Sequence, residues 1–409
     1  MVGEGWLLIT LTLLVISIIT AQVPLLLLTT LVFLSGLLVR VWSHFALARV
    51  SHEQRLSHDH AFFGETVEVD VSVSNRKMLP LPVVQVTLEA PDELRVLRGS
   101  VTPAAGNPFR VNLTSFLAVG WYRRVTRRYL VECTKRGYYT FGPSTMSVRD
   151  PFGFTSRDAG FSSTTRLVVY PRVLPLRALG LPSTEILGER RVRRQLFEDP
   201  LRIVTSREYV SGDPLNRINW RATARQGTLQ TRVLESTSTP NVAVFLDVNT
   251  MSSRFQAPSE PLLEGAVSVA ASIASHAIAA RYEVGVYANE AYRGTREMIR
   301  FAPSRNPGHL TRVLTGLAHP MGWPMHSIDR MLSTEGRSIP WTASILVVTA
   351  VPTPQLIGTL RRFTRAGRRV ALALVGDGAG AAISSDIPTY VVPQSALHGH
   401  AATLEVVTS

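Results

Sequence analysis

Apolar residues fill the first forty positions, and the period of the pattern then changes twice. Trp6 to Ala21 is an uncharged apolar run, Gln22 to Pro24 interrupts it, and Leu25 to Val39 is a second run ending at Arg40. A helix crossing about 30 Å of hydrocarbon needs roughly 20 apolar residues, so two slightly short helices joined near Gln22 predict a transmembrane hairpin over residues 1–43. A cleaved signal peptide is the rival reading; it calls for basic residues ahead of the apolar run, whereas the chain opens Met-Val-Gly-Glu-Gly. Arg40, Arg49 and Arg55 follow the second run while the N-terminal tail holds only Glu4. The positive-inside rule then places the soluble body in the cytoplasm and makes the chain a multi-pass membrane protein.

Beyond a polar juxtamembrane linker (44–60), Val67, Val69, Val71 and Val73 alternate with Glu68, Asp70 and Ser72, the pattern of a half-buried strand. Val84, Val86 and Leu88 repeat the alternation after the Pro80/Pro82 break, and Tyr129, Val131 and Cys133 repeat it again. Short strands between Pro, Gly and Asn clusters predict an all-β, immunoglobulin-like sandwich over 61–175. From Asn241 the period changes. Val242–Leu246, Val284–Tyr287, Ile345–Val348, Val370–Val375 and Tyr390–Val392 read as strands, and Glu260–Ala280, Leu310–Leu317 and Pro354–Ala366 as helices. Strands alternating with helices predict a doubly wound α/β domain over 239–409. Residues 176–238 form the connecting segment. The whole is a multidomain α+β membrane protein.

With 409 residues, 45% of them hydrophobic, the chain has material for two or three cores. The net charge of +13 suits an anionic partner, and for a tethered basic protein the nearest one is anionic lipid. The arginines are scattered through elements of different character, so no nucleic-acid footprint emerges. Cys133 is the only cysteine and has no intramolecular disulfide partner.

The densest polar chemistry lies in residues 205–235, TSREYVSGDPLNRINWRATARQGTLQTRVLE. Gly212 permits a sharp turn, Asp213 accepts hydrogen bonds from it or from a guanidinium, and Pro214 can start a helix. Arg217, Arg221 and Arg225 sit four apart, which on a helix makes one cationic stripe, with Ile218, Trp220 and Ala224 left for packing. Arg207, Tyr209, Gly212, Asp213, Arg217, Ile218, Trp220, Ala224, Arg225 and Glu235 resemble the R-x-Y-x-x-G-D…R-x-I-x-W…A-R…E signature of the bacterial domain-of-unknown-function 58 family. Arg136-Gly137-Tyr138, Gly142-Pro143, Asp150-Pro151-Phe152-Gly153 and Tyr170-Pro171 extend the resemblance over nearly the whole chain. The resemblance implies a C-terminal domain similar to von Willebrand factor type A and a bacterial plasma membrane setting. It also implies association with MoxR-type AAA+ ATPases and transglutaminase-like membrane proteins.

Type A domains hold a divalent cation in an Asp-x-Ser-x-Ser loop at the carboxyl end of the first strand. Here the loop reads Asp247-Val248-Asn249-Thr250-Met251, so the metal candidates are Asp247, Asn249 and Ser252, with Thr250 a substitute if the loop shifts. The site is degenerate: Met251 offers a soft thioether, and Val348-Thr349-Ala350 lacks the later carboxylate. Asp247 as a loop-ordering acid is the stronger expectation, and no cofactor is expected. His52, His58, Asp59 and His60 read as a solvated charge run, and His398 and His400 likewise. Ser211-Gly212-Asp213 lacks the G-x-S-x-G frame, and no Walker A, H-E-x-x-H or paired CxxC motif is present.

The expectation is therefore a non-enzymatic, membrane-anchored adaptor that docks protein partners. Arg207, Tyr209, Asp213, Arg217, Trp220 and Arg225 are its working set, with Asp213 paired to arginine and Trp220 anchoring the turn. The alternatives are a divalent-metal-dependent binder using Asp247 and, less favoured, a hydrolase using Asp213.

Overall fold

A computed structural model of the chain describes residues 4–20, 22–150, 155–182, 203–211, 213, 218–234, 241–251, 256–376 and 386–397. It divides into two compact units, Met1–Arg172 and Val173–Ser409.

In the first unit the apolar runs form helices α1 (Glu4–Ile19) and α2 (Val23–Phe45), which pack against each other. Pro24 lies in the first turn of α2, where its missing N–H costs nothing. By length and composition α2 suffices to cross a membrane, with a mean hydropathy of 2.1. Its last turns face protein: Val39, Trp42 and Ser43 are buried, and Trp42 and Ala46 join the sandwich core. Trp42 Nε1 donates to Pro80 O at 3.3 Å. Lys77 Nζ donates to the carbonyls of Ala46 and Ala48, satisfying acceptors that the end of a helix leaves open.

The strands described in this unit are β1 (Val50–Leu56), β2 (His60–Ala61), β3 (Thr66–Asn75), β4 (Leu81–Pro91), β5 (Arg95–Arg98), β6 (Ser100–Pro103), β7 (Arg110–Val119), β8 (Arg124–Glu132), β9 (Gly137–Phe141), β10 (Ser144–Arg149), β11 (Ser156–Phe161) and β12 (Thr165–Val169). They form a sheet β1-β3-β8-β5, a facing sheet β11-β10-β4-β7-β6, and a small sheet β2-β12-β9. Val67, Val69, Val71 and Val73 meet Val84, Val86, Leu88, Met146 and Val148 in one core, as the alternation requires. Cys133 is buried there, and burial pushes its thiol up to about 11. The predicted linker at 44–60 is replaced by structure. It holds the end of α2 and all of β1, a polar edge strand whose His52 and Gln54 bond inward to Ser144 Oγ and Phe141 O.

In the second unit β13 (Ile203–Glu208) and β14 (Gln230–Leu234) form an antiparallel hairpin enclosing helix α3 (Trp220–Gln226). Then follow β15 (Asn241–Leu246), α4 (Glu260–Ala279), β16 (Glu283–Ala291), β17 (Met298–Ser304), α5 (His309–Leu317), α6 (Ile328–Glu335), β18 (Ser344–Thr349), α7 (Pro354–Arg365), β19 (Val370–Val375), β20 (Thr389–Val392) and α8 (Gln394–Leu397). The sheet runs β17-β16-β15-β18-β19-β20, parallel except for β17. Ala243, Phe245, Ile345, Val347, Leu372 and Leu374 pack under α6 and α7, while α4 covers the other face. Strands covered on both sides carry continuous apolar runs for this reason. Apolar α4 has the length and composition of a membrane span, yet it is mostly buried against the sheet. At Gly265 an added Cβ would lie 2.5 Å from Leu397 Cδ1 and 2.8 Å from Val375 Cγ1, so glycine sets this helix-to-sheet distance.

Candidate functional site

Strand order reverses between β15 and β18, and in open α/β sheets that switch point opens the crevice used for ligands. Asp247 follows β15 directly and is buried. Both its oxygens are engaged: Oδ1 accepts Asn289 Nδ2 at 2.8 Å and Asn249 N at 3.1 Å, and Oδ2 accepts Thr349 Oγ1 at 2.9 Å. Its pKa is raised, by desolvation first, with these hydrogen bonds opposing and Asp329 adding to the rise. Asn249 Oδ1 accepts Met251 N at 3.2 Å, and Thr250 Oγ1 accepts Ser259 N at 2.8 Å. The groups around the acid donate protons to it, and these bonds order the loop. Ser252 lies outside the described residues.

Asn289, on β16, is the residue that sequence reasoning missed. Its Oδ1 accepts Val248 N at 2.9 Å, its Nδ2 also donates to His326 O at 3.1 Å, and its carbonyl accepts Met325 N at 2.8 Å. One amide therefore joins the Asp247 loop to the segment 319–326. Glu290, next on the strand, accepts Met321 N at 3.0 Å and Gly322 N at 3.1 Å. Together these two side chains pin a loop whose Met321, Trp323 and Met325 are 51%, 61% and 46% exposed. The only sequence signal was Met-Gly-Trp-Pro-Met, apolar residues around turn formers.

The signature hairpin forms a second cluster. Asp213 Oδ1 accepts Arg207 Nη2 at 2.6 Å, and Oδ2 accepts Val210 N at 3.1 Å and Thr231 Oγ1 at 3.4 Å. Arg207 first, then the Val210 N–H, holds the Asp213 carboxyl below its usual range, and Asp213 raises Arg207 in return. The expected pairing of Asp213 with an arginine is present, and the partner is Arg207. Tyr209 N donates to Leu229 O at 2.8 Å and closes the hairpin. Asn219 Oδ1 caps α3 through Ala222 N at 3.3 Å, its Nδ2 reaches Ser206 Oγ at 2.8 Å, and Gly227 ends the helix at φ 72°.

Of the Arg217–Arg221–Arg225 stripe, Arg221 and Arg225 lie on α3, which the Asn219 cap starts at Trp220, and Arg217 lies outside the described residues. One expectation fails here. Trp220 does not anchor the turn: it is 66% exposed, and the buried apolar residue is Ile218, bridged to Thr231. Arg221 and Arg225 are exposed as well. Gly212, Arg217 and Glu235 lie outside the described residues, as do His398 and His400.

The histidines near β1 do not converge. His52 Nε2 meets Ser144 Oγ at 2.7 Å, His60 Nδ1 meets Asp59 Oδ1 at 2.6 Å, and His58 Nδ1 meets Ser57 Oγ at 3.2 Å. Among the described residues no group of three or more His, Cys, Asp or Glu is arranged to hold a metal.

No curated protein matches the chain. Among solved structures, a type II cohesin domain from the cellulosome of Acetivibrio cellulolyticus is 11% identical, covering 29% of this chain and 95% of its own, with a TM-score of 0.23. A CARDB domain from Pyrococcus furiosus in complex with di-metal ions is 13% identical, covering 29% and 91%, at 0.21. A non-cellulosomal cohesin from Archaeoglobus fulgidus is 11% identical, covering 29% and 91%, at 0.20. Likeness at such scores says nothing of what this chain binds. Residues 205–377, from the hairpin to the end of β19, match the family described as Protein of unknown function DUF58.

Proposed function

We propose that this chain is a non-enzymatic adaptor anchored in the bacterial plasma membrane by α1 and α2, with its soluble domains in the cytoplasm. Its α/β domain, read as von Willebrand factor type A-like, docks a polypeptide at the carboxyl edge of the sheet. The observation carrying this reading is the pinned loop with Met321, Trp323 and Met325 turned to solvent. Exposed apolar groups on a fixed loop suit a partner surface: tryptophan is enriched among binding hot spots, and methionine adapts to irregular contacts. Asp247 and Asp213 support the non-enzymatic reading, since both carboxylates hold loops with their lone pairs. The partner class comes from the family resemblance: a MoxR-type AAA+ ATPase, acting with a transglutaminase-like membrane protein to assemble or remodel a membrane complex.

The test is binding between the full chain in lipid nanodiscs and the MoxR-type ATPase of the same genome, followed by calorimetry. Saturable binding that Trp323→Ala weakens about 30-fold, the equivalent of roughly 2 kcal/mol at a hot spot, is expected. Absence of saturable binding, or affinity indifferent to Trp323→Ala, overturns the proposal.

A further inference from the structure

The end of the β-sandwich that receives α2 is built differently from the opposite end. Three segments meet there: the turn Ala46–Arg49 after α2, the β3–β4 connection at 76–80, and the β7–β8 tip at 120–123. Asn75, buried, ties two of them together, its Nδ2 donating to Leu79 O at 2.8 Å and Gly120 O at 3.0 Å. Tyr122 N donates to Lys77 O at 3.3 Å, and Arg76 N to Arg49 O at 3.1 Å. Tyr122 and Arg49 are held at φ 48° and 53°, a region that bulky residues enter only when their surroundings fix them.

This fixed platform displays Met78, Trp121 and Tyr122 at 70%, 62% and 68% exposure. Around them stand exposed Arg40, Arg49, Arg76, Arg123, Arg149 and Arg157. The acids at this end are Glu53, already paired with Arg55 and Arg124, Asp150, turned onto Thr155, and Asp158. Apolar and aromatic tips within a ring of arginine are the composition of a protein surface at a membrane–water boundary.

The length of α2 points the same way. Its apolar stretch before Arg40 runs from Val23 to Val39, about 25 Å at about 1.5 Å per residue, short of a hydrocarbon core of about 30 Å. Beyond it, Trp42 and Ala46 are already packed into the sandwich. No spacer separates helix from domain, so a bilayer that covers the helix brings its headgroups onto the platform.

We infer that this platform is a docking surface for anionic lipid headgroups, with Met78, Trp121 and Tyr122 entering the interface and Arg49, Arg76 and Arg123 meeting phosphate. The inference rests on the membrane anchoring proposed above. It fixes the sandwich upright on the bilayer instead of leaving it to swing from α2.

The built-in control is Phe109, 73% exposed at the other end of β7. Ten strand residues at about 3.3 Å each place it about 33 Å away, several times the Debye length of about 8 Å at physiological salt. The experiment uses the full chain with a single nitrobenzoxadiazole probe on Trp121→Cys, Phe109→Cys or Leu31→Cys, the unsubstituted chain reporting labelling of buried Cys133. Each is reconstituted into phosphatidylcholine vesicles with or without phosphatidylglycerol. A headgroup spin label is expected to quench the probe at 121 severalfold more than at 109, more strongly with phosphatidylglycerol. Combined Arg49→Gln, Arg76→Gln and Arg123→Gln should remove that lipid dependence. Equal quenching at 121 and 109, or quenching at 121 indifferent to phosphatidylglycerol, overturns the inference. The probe at 31, read with an acyl-chain spin label, separates the two proposals. If it is quenched, the anchor stands and the platform alone has failed; if it is not, the anchoring itself is wrong and the platform falls with it.

Discussion

Replacing Asp247 by Ala and by Asn separates a loop-ordering group from a charged one. Alanine removes the acceptor of three donors: Asn289 Nδ2–H, Asn249 N–H and Thr349 Oγ1–H. Thr349 can turn its hydroxyl to Val351 O, 3.3 Å away, so two donors are stranded. Each stranded donor costs roughly 1–3 kcal/mol, which makes the loss about 2–6 kcal/mol. Asparagine strands none of these three. Its oxygen accepts from Asn289 and Asn249, its NH₂ donates to Thr349 Oγ1, and the Thr349 hydroxyl swings to Val351 O. The substitution also removes a charge that burial disfavours. Because the folded-state pKa of Asp247 is raised, its stabilising contribution is complete below the unfolded value, about 4, and is lost as pH rises through the folded value. At neutral pH the Asn variant should therefore match the parent within about 1 kcal/mol and show less gain on acidification. Hydrogen exchange of β15 and β18 peptides in the full chain reads this out. The Ala variant should exchange on the order of 100-fold faster and the Asn variant within about tenfold of the parent. An Asn variant as labile as the Ala variant would refute the reasoning, because the negative charge itself would then be what the loop requires.

Four further outcomes are expected. Glu290→Ala should speed exchange at Met321 and Gly322 by about 100-fold, since two backbone donors lose a charged acceptor worth roughly 1.5–3 kcal/mol per bond; unchanged exchange would mean the loop is held elsewhere. Burial lowers the Lys77 pKa to about 8, so its contribution is present above the unfolded value near 10.5 and lost as pH falls through 8. The melting temperature of the parent relative to Lys77→Met should accordingly rise between pH 8 and 10, and parallel profiles would contradict the burial argument. Asp213 is held below its usual range, so the hairpin should loosen as pH falls through that lowered value. Faster Val210 exchange at pH 3 than at pH 5, corrected for intrinsic rate and absent in Asp213→Ala, is the check. Trp220→Ala should leave hairpin exchange unchanged while altering partner affinity, and a hairpin that opens would mean the indole holds it after all.

Legibility in the sequence followed burial geometry. Val67 to Val73 could be read because one face of β3 is covered and the other is not. Val242–Leu246 could be read because β15 is covered on both faces and carries no polar position after Asn241. β17 escaped notice as an antiparallel edge strand with register shifts, which break alternation, and α6 as a helix of only two turns. β1 looked like a linker because an edge strand can carry His52, Glu53, Gln54 and Arg55 in succession. At the site, Asp247 and Asp213 stood out as acids next to a strand end and a turn. Asn289 did not, because an amide within Val-Gly-Val-Tyr-Ala-Asn-Glu-Ala acquires its role only when the parallel pairing of β15 and β16 lays it beside Asp247. Trp220 was misplaced for a related reason: aromatic character suggests burial, whereas the capped start of α3 fixes its direction.

The two clusters share a division of labour that bears on function. In each, the carboxylate that looks reactive is engaged in hydrogen bonds: Asp247 by Asn289, Asn249 and Thr349, and Asp213 by Arg207, Val210 and Thr231. In each, the groups left facing solvent are large and apolar or cationic: Met321, Trp323 and Met325 on one loop, Trp220, Arg221 and Arg225 on one helix. Burying a tryptophan or methionine is worth roughly 1.5–3 kcal/mol, so a fold selected for stability alone would gain by turning these side chains inward. Carboxylates committed to holding a loop in one conformation reduce the ordering entropy that a partner must overcome on binding. Rigid loops displaying apolar surface are what the proposed docking of another polypeptide calls for.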